Sequence, residues 1–260
     1  MKLIINGDDF GITHACNMAI MDCFRNGLMK STSMMTNMPY AQEAARLWKE
    51  NPQLSVGIHF SLSAGKPITE GKTLIKKDGT FDKAILRDPL KADSGEIEQE
   101  LQAQFKRFVE LTGKYPDHIN SHHGIEVIPD GARMIQGFSR KYHLPIRSFL
   151  NEGALEKNHY QVDFEIPTLK MMVRDSGRTR FGPEDVIKCF TRQELESDRI
   201  FELAGHPGYV DYELIQLSSL TEGRCYDAYT FCSEQLLDWV REHNIQLITY
   251  KEIPLKKNRG

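Results

Sequence analysis

Short apolar runs alternate with helical patterns along nearly the whole chain, and this alternation constrains the fold more than any other feature. The predicted strands, which are rich in apolar and β-branched residues, are residues 2–6, 31–36, 55–59, 118–121, 145–150, 199–204 and 246–249. The predicted helices between them are residues 15–26, 41–50, 95–111, 131–142, a stretch after Pro183, and 231–243. Strand followed by helix, about seven times over, predicts an α/β fold with a parallel sheet.

An irregular (β/α) barrel of seven or eight strands is the form of this fold that we expect. An open doubly wound sheet is usually marked by a glycine-rich dinucleotide motif, and the 260-residue sequence contains none. No internal repeat, low-complexity tract or linker divides the sequence. We therefore expect residues 1–260 to form a single domain.

Two long polar segments, residues 61–94 and 151–182, interrupt the alternation. The first is punctuated by Gly and Pro, and it predicts a small hairpin around Gly79. Long loops in a compact domain often form the walls of a substrate site, so we expect both segments at the mouth of the barrel. The side chains that we expect to contact a substrate there are Phe81, Arg174, Arg178 and Phe181.

The composition favours a cytoplasmic protein that binds neither nucleic acid nor membranes. The net charge is −3 with the basic residues dispersed, and no apolar run approaches the ~20 residues that span a bilayer. The N-terminus enters a predicted strand directly, so we expect no signal peptide. The five Cys residues form no CxxC pair and fit reduced thiols. The sequence leaves a homodimer open.

The segment Leu-Ile-Ile-Asn-Gly-Asp-Asp-Phe-Gly, residues 3–11, places two adjacent carboxylates directly after a short apolar strand. Neighbouring side chains at the end of a strand point in different directions, so Asp8 and Asp9 are expected to serve different purposes. One of them can hold a metal ion while the other faces a substrate or a water molecule. The alternative is a turn in which both side chains cap the helix that begins near Ala15.

Four of the nine His residues also lie at or just after the ends of predicted strands: His59, His122, His123 and His206. In a parallel barrel these ends meet at one mouth, where the chemistry takes place. Asp9, His59 and His122 together offer one carboxylate and two imidazoles, a set that leaves coordination positions of a catalytic metal open. The alternative for His59 is an imidazole bonded to backbone, and for residues 121–123 it is a polar turn.

Six motifs occur in a characteristic order: the opening Asn-Gly-Asp-Asp-Phe-Gly, then Asn26-Gly27, Ser31-Thr32-Ser33, Gly57-Ile58-His59-Phe60, Ser121-His122-His123 and His206-Pro207-Gly208. In this order and spacing they resemble the YdjC-like carbohydrate deacetylases, which include chitooligosaccharide deacetylases. The resemblance covers nearly the whole chain and implies a (β/α) barrel related to NodB-type polysaccharide deacetylases. It implies hydrolytic removal of N-acetyl groups from amino sugars or their oligosaccharides during carbohydrate breakdown. On this likeness Asp9, His59 and His122 hold one divalent metal ion.

The same resemblance implies that Asp8 is the general base and His206 the general acid. It also implies Mg²⁺ as the metal, whereas two imidazole ligands favour Zn²⁺ on chemical grounds. One departure stands out. Many family members read Ser-His-His-His-Val-His, whereas residues 121–126 here read Ser-His-His-Gly-Ile-Glu. The first two His remain, so the predicted metal site is retained, but the identity of the sugar is left open.

Three other functions stay compatible with parts of the pattern. A metal-dependent phosphoesterase would also use Asp and His at strand ends, usually with enough ligands for two metals. A sugar isomerase or aldolase would need a Lys for a Schiff base or a Glu-rich site, and no predicted strand ends in such a Lys. A non-catalytic sugar-binding protein would bind acetylated oligosaccharide without releasing acetate.

Overall fold

In the computed structural model, which describes residues 1–88, 91–147, 162–171 and 181–256, seven strands form one parallel sheet. They are β1 (Lys2–Phe10), β2 (Ser31–Met34), β3 (Ser55–Phe60), β4 (Ile119–Ser121), β5 (Thr168–Met171), β6 (Ile200–Gly205) and β7 (Gln246–Leu247). The order across the sheet is β4-β3-β2-β1-β6-β5, and β7 pairs with β1. The sheet curls into a half-barrel, which confirms the predicted fold class.

Strand β1 lies at the centre of this sheet, and every residue from Leu3 to Phe10 is buried. Strands of a parallel sheet are covered on both faces, which explains the uninterrupted apolar run at the start of the chain. Gly7 pairs with Thr32 on one side and with Gly205 on the other. A Cβ atom at Gly7 would lie 2.6 Å from the Met29 sulfur, so a larger residue here would require the Met29 side chain to move.

Two parts of the sheet differ from the strands predicted from sequence. Within the predicted strand 145–150, Ile146 forms a single parallel bridge with Ile119, and residues 148–150 lie outside the described residues. Strand β5 was not predicted. Its sequence, Thr-Leu-Lys-Met, is half-buried at the edge of the sheet and lacks the apolar run of the central strands.

The helices of the described residues are α1 (His14–Asn26), α2 (Ala41–Glu50), α3 (Ser94–Thr112), α4 (Pro129–Tyr142), α5 (Pro183–Lys188), α6 (Arg192–Leu195), α7 (Tyr212–Leu217), α8 (Glu222–Phe231) and α9 (Glu234–Glu242). Their ends follow ordinary capping chemistry. The side chain of Thr13 accepts from the amide of Cys16 at the start of α1, and Asp93 does the same for α3. None of the helices in the described residues is long and apolar enough to cross a membrane.

Helix α8 was not predicted from sequence. The helix predicted over residues 231–243 is present as α9, and α8 precedes it over Glu222–Phe231. The buried face of α8 includes Arg224, Asp227 and Thr230. Because this face is polar, the sequence lacks the apolar periodicity that would reveal the helix.

The segment 61–94 returns over the carboxyl ends of the strands. The predicted hairpin around Gly79 is present as an antiparallel bridge between Ile75 and Phe81. Gln104 of α3 anchors the start of the segment, since its side chain bonds both the amide and the carbonyl of Ser61. This anchoring fixes one wall of the cleft described below.

Candidate active site

The five residues predicted from sequence to form the site come together at the carboxyl ends of the strands. Asp8 and Asp9 lie near the end of β1 and His59 near the end of β3. His122 follows β4, where its amide donates to the Phe60 carbonyl at 2.7 Å, and His206 follows β6. The meeting of these residues confirms the placement that the strand-end pattern predicted.

Asp9, His59 and His122 form a three-residue cluster whose ligand atoms all lie within 4.8 Å of one another. The Asp9 Oδ1 atom is 3.2 Å from Nε2 of His59 and 3.0 Å from Nδ1 of His122. Asp9 and His59 are fully buried, and Nε2 of His59 has no hydrogen-bond partner. A buried nitrogen without a partner is costly, and a metal ion at this point would satisfy it.

Asn120 controls which nitrogen of His59 carries the proton, because its side-chain amide lies 2.7 Å from Nδ1. Of the two orientations of that amide, the one in which its nitrogen donates to Nδ1 satisfies its surroundings, whereas the one in which its oxygen faces Nδ1 sets that oxygen against acceptors. Only the one in which the oxygen accepts from the Nδ1–H group leaves a lone pair on Nε2, as a metal ligand requires. The cluster therefore fits a divalent ion when Asn120 takes this orientation.

Asp8 is held by a buried arginine that follows the bridge between Ile146 and Ile119. Arg147 Nη1 lies 2.6 Å from Oδ2 of Asp8, and Nη2 lies 2.9 Å from Oδ1. Asn6 and Ser33 also donate to Oδ1. Burial alone would raise the pKa of Asp8, but the charges of Arg147 and His59 outweigh burial and hold that pKa well below its usual range.

Arg147 is itself shared between two carboxylates. Its Nη2 atom lies 2.5 Å from Oε1 of Glu202, a fully buried residue of β6. The hydroxyl of Tyr250 donates to the other oxygen of Glu202. One buried cation thus faces two buried anions, and a phenol stabilises the second of them.

Asp9 has a different arginine. Arg224 of α8 donates from Nη2 to Oδ2 of Asp9 at 2.6 Å, which leaves Oδ1 facing the two imidazoles. Burial opposes ionisation of Asp9, but His122 and Arg224 hold its pKa well below the usual range. The backbone of Asp9 is left-handed, with φ of 70°. Aspartate tolerates this region better than most non-glycine residues, and residues held in it cluster at functional sites.

His206 stands on the Asp8 side of the cluster, with Nε2 3.9 Å from Oδ2 of Asp8. Its amide donates to Oδ2 of Asp227 on α8 at 2.8 Å, and its Nδ1 lies 4.0 Å from the same oxygen. Burial lowers the pKa of His206 by more than the charges of Asp9 and Asp8 raise it. These surroundings therefore favour the neutral ring.

A cleft of about 560 Å³ opens above these residues. One wall is formed by parts of the segment 61–94 and includes Ser63, Gly65 and Lys83. This confirms the predicted position of that segment. Phe81 lines the same wall, although its side chain is only 2% exposed. The opposite wall, residues 216–220, was not predicted.

The second predicted wall, residues 151–182, falls almost wholly outside the described residues, and so do Arg174 and Arg178. Phe181 is described and packs against the main hydrophobic core. No role was predicted from sequence for Arg147, Glu202 or Arg224. Arg147 and Glu202 each place a charge within a predicted buried strand, and this charge is the signal that could have revealed them. The sequence around Arg224 has no such signal.

A family model described as YdjC-like protein matches residues 2–242. The chain belongs to the YdjC-like family. The departure of residues 121–126 from the common family motif therefore occurs within a true member. Glu126, which stands at one of the altered positions, accepts from the Ser121 hydroxyl at 2.5 Å, and it does not line the cleft above the cluster of Asp9, His59 and His122.

Similar proteins match over almost their full length. Carbohydrate deacetylase 2 of Listeria innocua is 31% identical over 260 residues, covering 98% of this YdjC-like chain and 100% of that protein. Chitooligosaccharide deacetylase of Yersinia enterocolitica is 31% identical over 244 residues, covering 88% of each. A crystal structure from Enterococcus faecalis, of a protein with a proposed role in cellobiose-phosphate cleavage, superposes with a TM-score of 0.83 at 26% identity. The superposition covers 96% of this chain and 97% of the Enterococcus faecalis chain.

Proposed function

We propose that this protein is a metal-dependent carbohydrate deacetylase that hydrolyses N-acetyl groups of amino sugars, with chitooligosaccharides as the leading substrate class. The observation that carries the proposal is the division between Asp8 and Asp9. Arg147 covers both oxygens of Asp8, whereas one oxygen of Asp9 faces two imidazoles. Asp9 thereby keeps an oxygen for a metal ion, whereas Arg147 keeps Asp8 out of the ligand set, and we assign Asp8 to proton transfer. The names of the relatives support the substrate class.

Asp9, His59 and His122 would hold the metal ion. When bound, a divalent cation supplies Lewis acidity, which polarises the acetyl carbonyl and makes water more acidic. We propose Mg²⁺ on the basis of family resemblance, and the two imidazoles make Zn²⁺ the chemical rival. The unpartnered Nε2 of His59 supports a metal at this point more directly than any other atom.

Asp8 and His206 would move the protons. Hydrolysis of an amide transfers one proton from water to the departing amine, and Asp8 is the base that we assign to the first half of this transfer. Nε2 of His206 lies 3.9 Å from Oδ2 of Asp8, so a proton taken up by Asp8 can reach the imidazole within the site. His206 then donates it to the amine nitrogen. This order agrees with a His206 ring that begins neutral.

Acetate release tests the proposal. The protein is stripped of metal, restored separately with Mg²⁺ and Zn²⁺, and incubated with di-N-acetylchitobiose and, in parallel, with 4-nitrophenyl phosphate. We expect acetate release that depends on metal and no phosphate release. Phosphate release without acetate would replace the deacetylase with a phosphoesterase. Sugar binding without acetate release under any metal would leave a non-catalytic sugar-binding protein.

A further inference from the structure

The turn after His122 demands an unusual backbone. His123 has φ of 61° and Gly124 has φ of 71°, so two consecutive residues adopt the left-handed conformation. Glycine tolerates this conformation freely and Asn or Asp moderately, whereas other side chains are strained by it. A glycine at position 123 would make the same turn at lower cost. The imidazole of His123 therefore has no evident role in forming the turn.

The ring of His123 is nonetheless held in a defined place. Its Nδ1 atom lies 2.9 Å from the hydroxyl of Ser63, which is buried in the loop after β3. Ser63 is the sole hydrogen-bond partner of the ring in the described part of the chain. The ring also lies against the ring of His122, with centroids 4.0 Å apart. One nitrogen is thus fixed by Ser63 while the side chain remains exposed to the cleft.

We infer that His123, oriented by Ser63, binds a hydroxyl group of the sugar unit whose acetyl group is removed. The inference rests on the proposed deacetylase function and names a recognition residue for it. An imidazole with Nδ1 engaged offers one donor or one acceptor at Nε2, and a sugar hydroxyl can match either. Because His123 lies beside His122, this contact falls next to the cluster of Asp9, His59 and His122, where the reacting sugar unit must lie. Ser63 is a positioning residue, because it acts through the ring of His123.

His123→Gly tests the inference, because it removes the imidazole and relieves the backbone. His143→Gly is the matched control, since His143 is also an exposed histidine with a left-handed backbone (φ of 53°) but ends α4 away from the cleft. We measure melting temperature, metal content, kcat and KM for di-N-acetylchitobiose, and kcat/KM for 4-nitrophenyl acetate, which has no sugar. Both variants should melt no lower than the parent protein and keep its metal content.

For His123→Gly we expect KM for the sugar to rise about three- to tenfold, the worth of one hydrogen bond, with a much smaller change in kcat. The ratio of sugar to ester kcat/KM should fall by the same factor. Ser63→Ala should move KM in the same direction by a smaller factor, and His143→Gly should not move it. Metal loss in His123→Gly, or an equal loss of rate on sugar and ester, would overturn the inference, and so would an unchanged KM.

Direct binding separates this inference from the proposed function. Calorimetric titration of di-N-acetylchitobiose into Asp8→Asn protein needs no turnover, and we expect about three- to tenfold weaker binding when His123→Gly is added. If the parent protein released no acetate but this difference in affinity appeared, the deacetylase proposal would fail while the sugar contact of His123 stood. Equal affinities would refute the contact whatever the activity.

Discussion

Asp8 and Asp9 are adjacent in sequence, almost equally buried and each paired with a buried arginine, yet the two arginines bind them in different ways. Arg147 binds Asp8 through both oxygens, and Glu202 shares that arginine from its far side. Arg224 binds Asp9 through one oxygen only and leaves the other to two imidazoles. The comparison teaches that the number of oxygens an arginine occupies decides whether a carboxylate remains available to a metal ion.

The largest expected effect is the contrast between Asp9→Asn and Asp8→Asn. Asp9→Asn removes the one anionic ligand of the cluster, so we expect loss of both bound metal and activity. Asp8→Asn leaves the three ligands in place, and we expect normal metal content with a loss of turnover of about 10²–10⁴-fold. Elemental analysis and acetate release measure the two quantities. Equal metal loss in both variants would break the comparison.

His206 belongs to the Asp8 side, and His206→Ala sharpens that assignment. We expect unchanged metal content and a loss of about 10²–10⁴-fold in amide hydrolysis, because the departing amine then lacks its proton donor. An activated ester such as 4-nitrophenyl acetate needs little protonation of its leaving group and should lose much less. Equal losses on amide and ester would remove His206 from the role of acid.

Added metal should restore the stability lost on removing Arg224 more than the stability lost on removing Arg147. Arg147→Met leaves Asp8 and Glu202 as buried carboxylates without their cation, and we expect a loss of about 3–5 kcal/mol in unfolding free energy. Arg224→Met leaves only Asp9, whose charge a bound metal can balance. We therefore expect added metal to restore more stability to Arg224→Met than to Arg147→Met. Denaturant unfolding with and without metal gives the comparison, which fails if both variants respond alike.

The smallest expected effect concerns His118, a buried ring that stacks on Tyr250 at 3.8 Å between centroids. Burial and the charge of Arg147 hold the pKa of His118 well below its usual value. Below about pH 6.5 the unfolded chain binds a proton there that the folded chain does not, so stability falls as pH falls, by up to about 1.4 kcal/mol per pH unit. His118→Phe should flatten this slope in a series of melting curves. An unchanged slope would mean that His118 is not the titrating group.

Much of this arrangement could be predicted from sequence because it depends on local patterns. Helix α2 has the predicted bounds, and the strand-end rule brought Asp9 and His122 together although they are 113 residues apart. The partners of the two carboxylates could not be predicted in the same way. Arg147 and Arg224 reach Asp8 and Asp9 across 139 and 215 residues, and no spacing in the sequence encodes those contacts.

A charge inside an apolar strand was the one usable clue to the missed residues. Glu202 interrupts the strand Ile-Phe-Glu-Leu-Ala-Gly, and a buried carboxylate needs a partner. Helix α8 gave no such clue. Its inward face is polar because Arg224 binds Asp9 and Asp227 binds the amide of His206. The apolar periodicity that reveals a helix in a sequence is therefore absent from α8.

The central position of β1 has a consequence for how the protein is made. Both aspartates are synthesised long before two of the strands that pair with β1, because β6 is complete only when residues 200–205 have been made and β7 follows later still. Arg224, which holds Asp9, is also in the last fifth of the chain. A nascent chain stalled before residue 200 would carry Asp9, His59 and His122, with β2 beside β1 but without β6 or β7 on its other side. We expect ribosome-bound fragments of that length to remain susceptible to protease within β1.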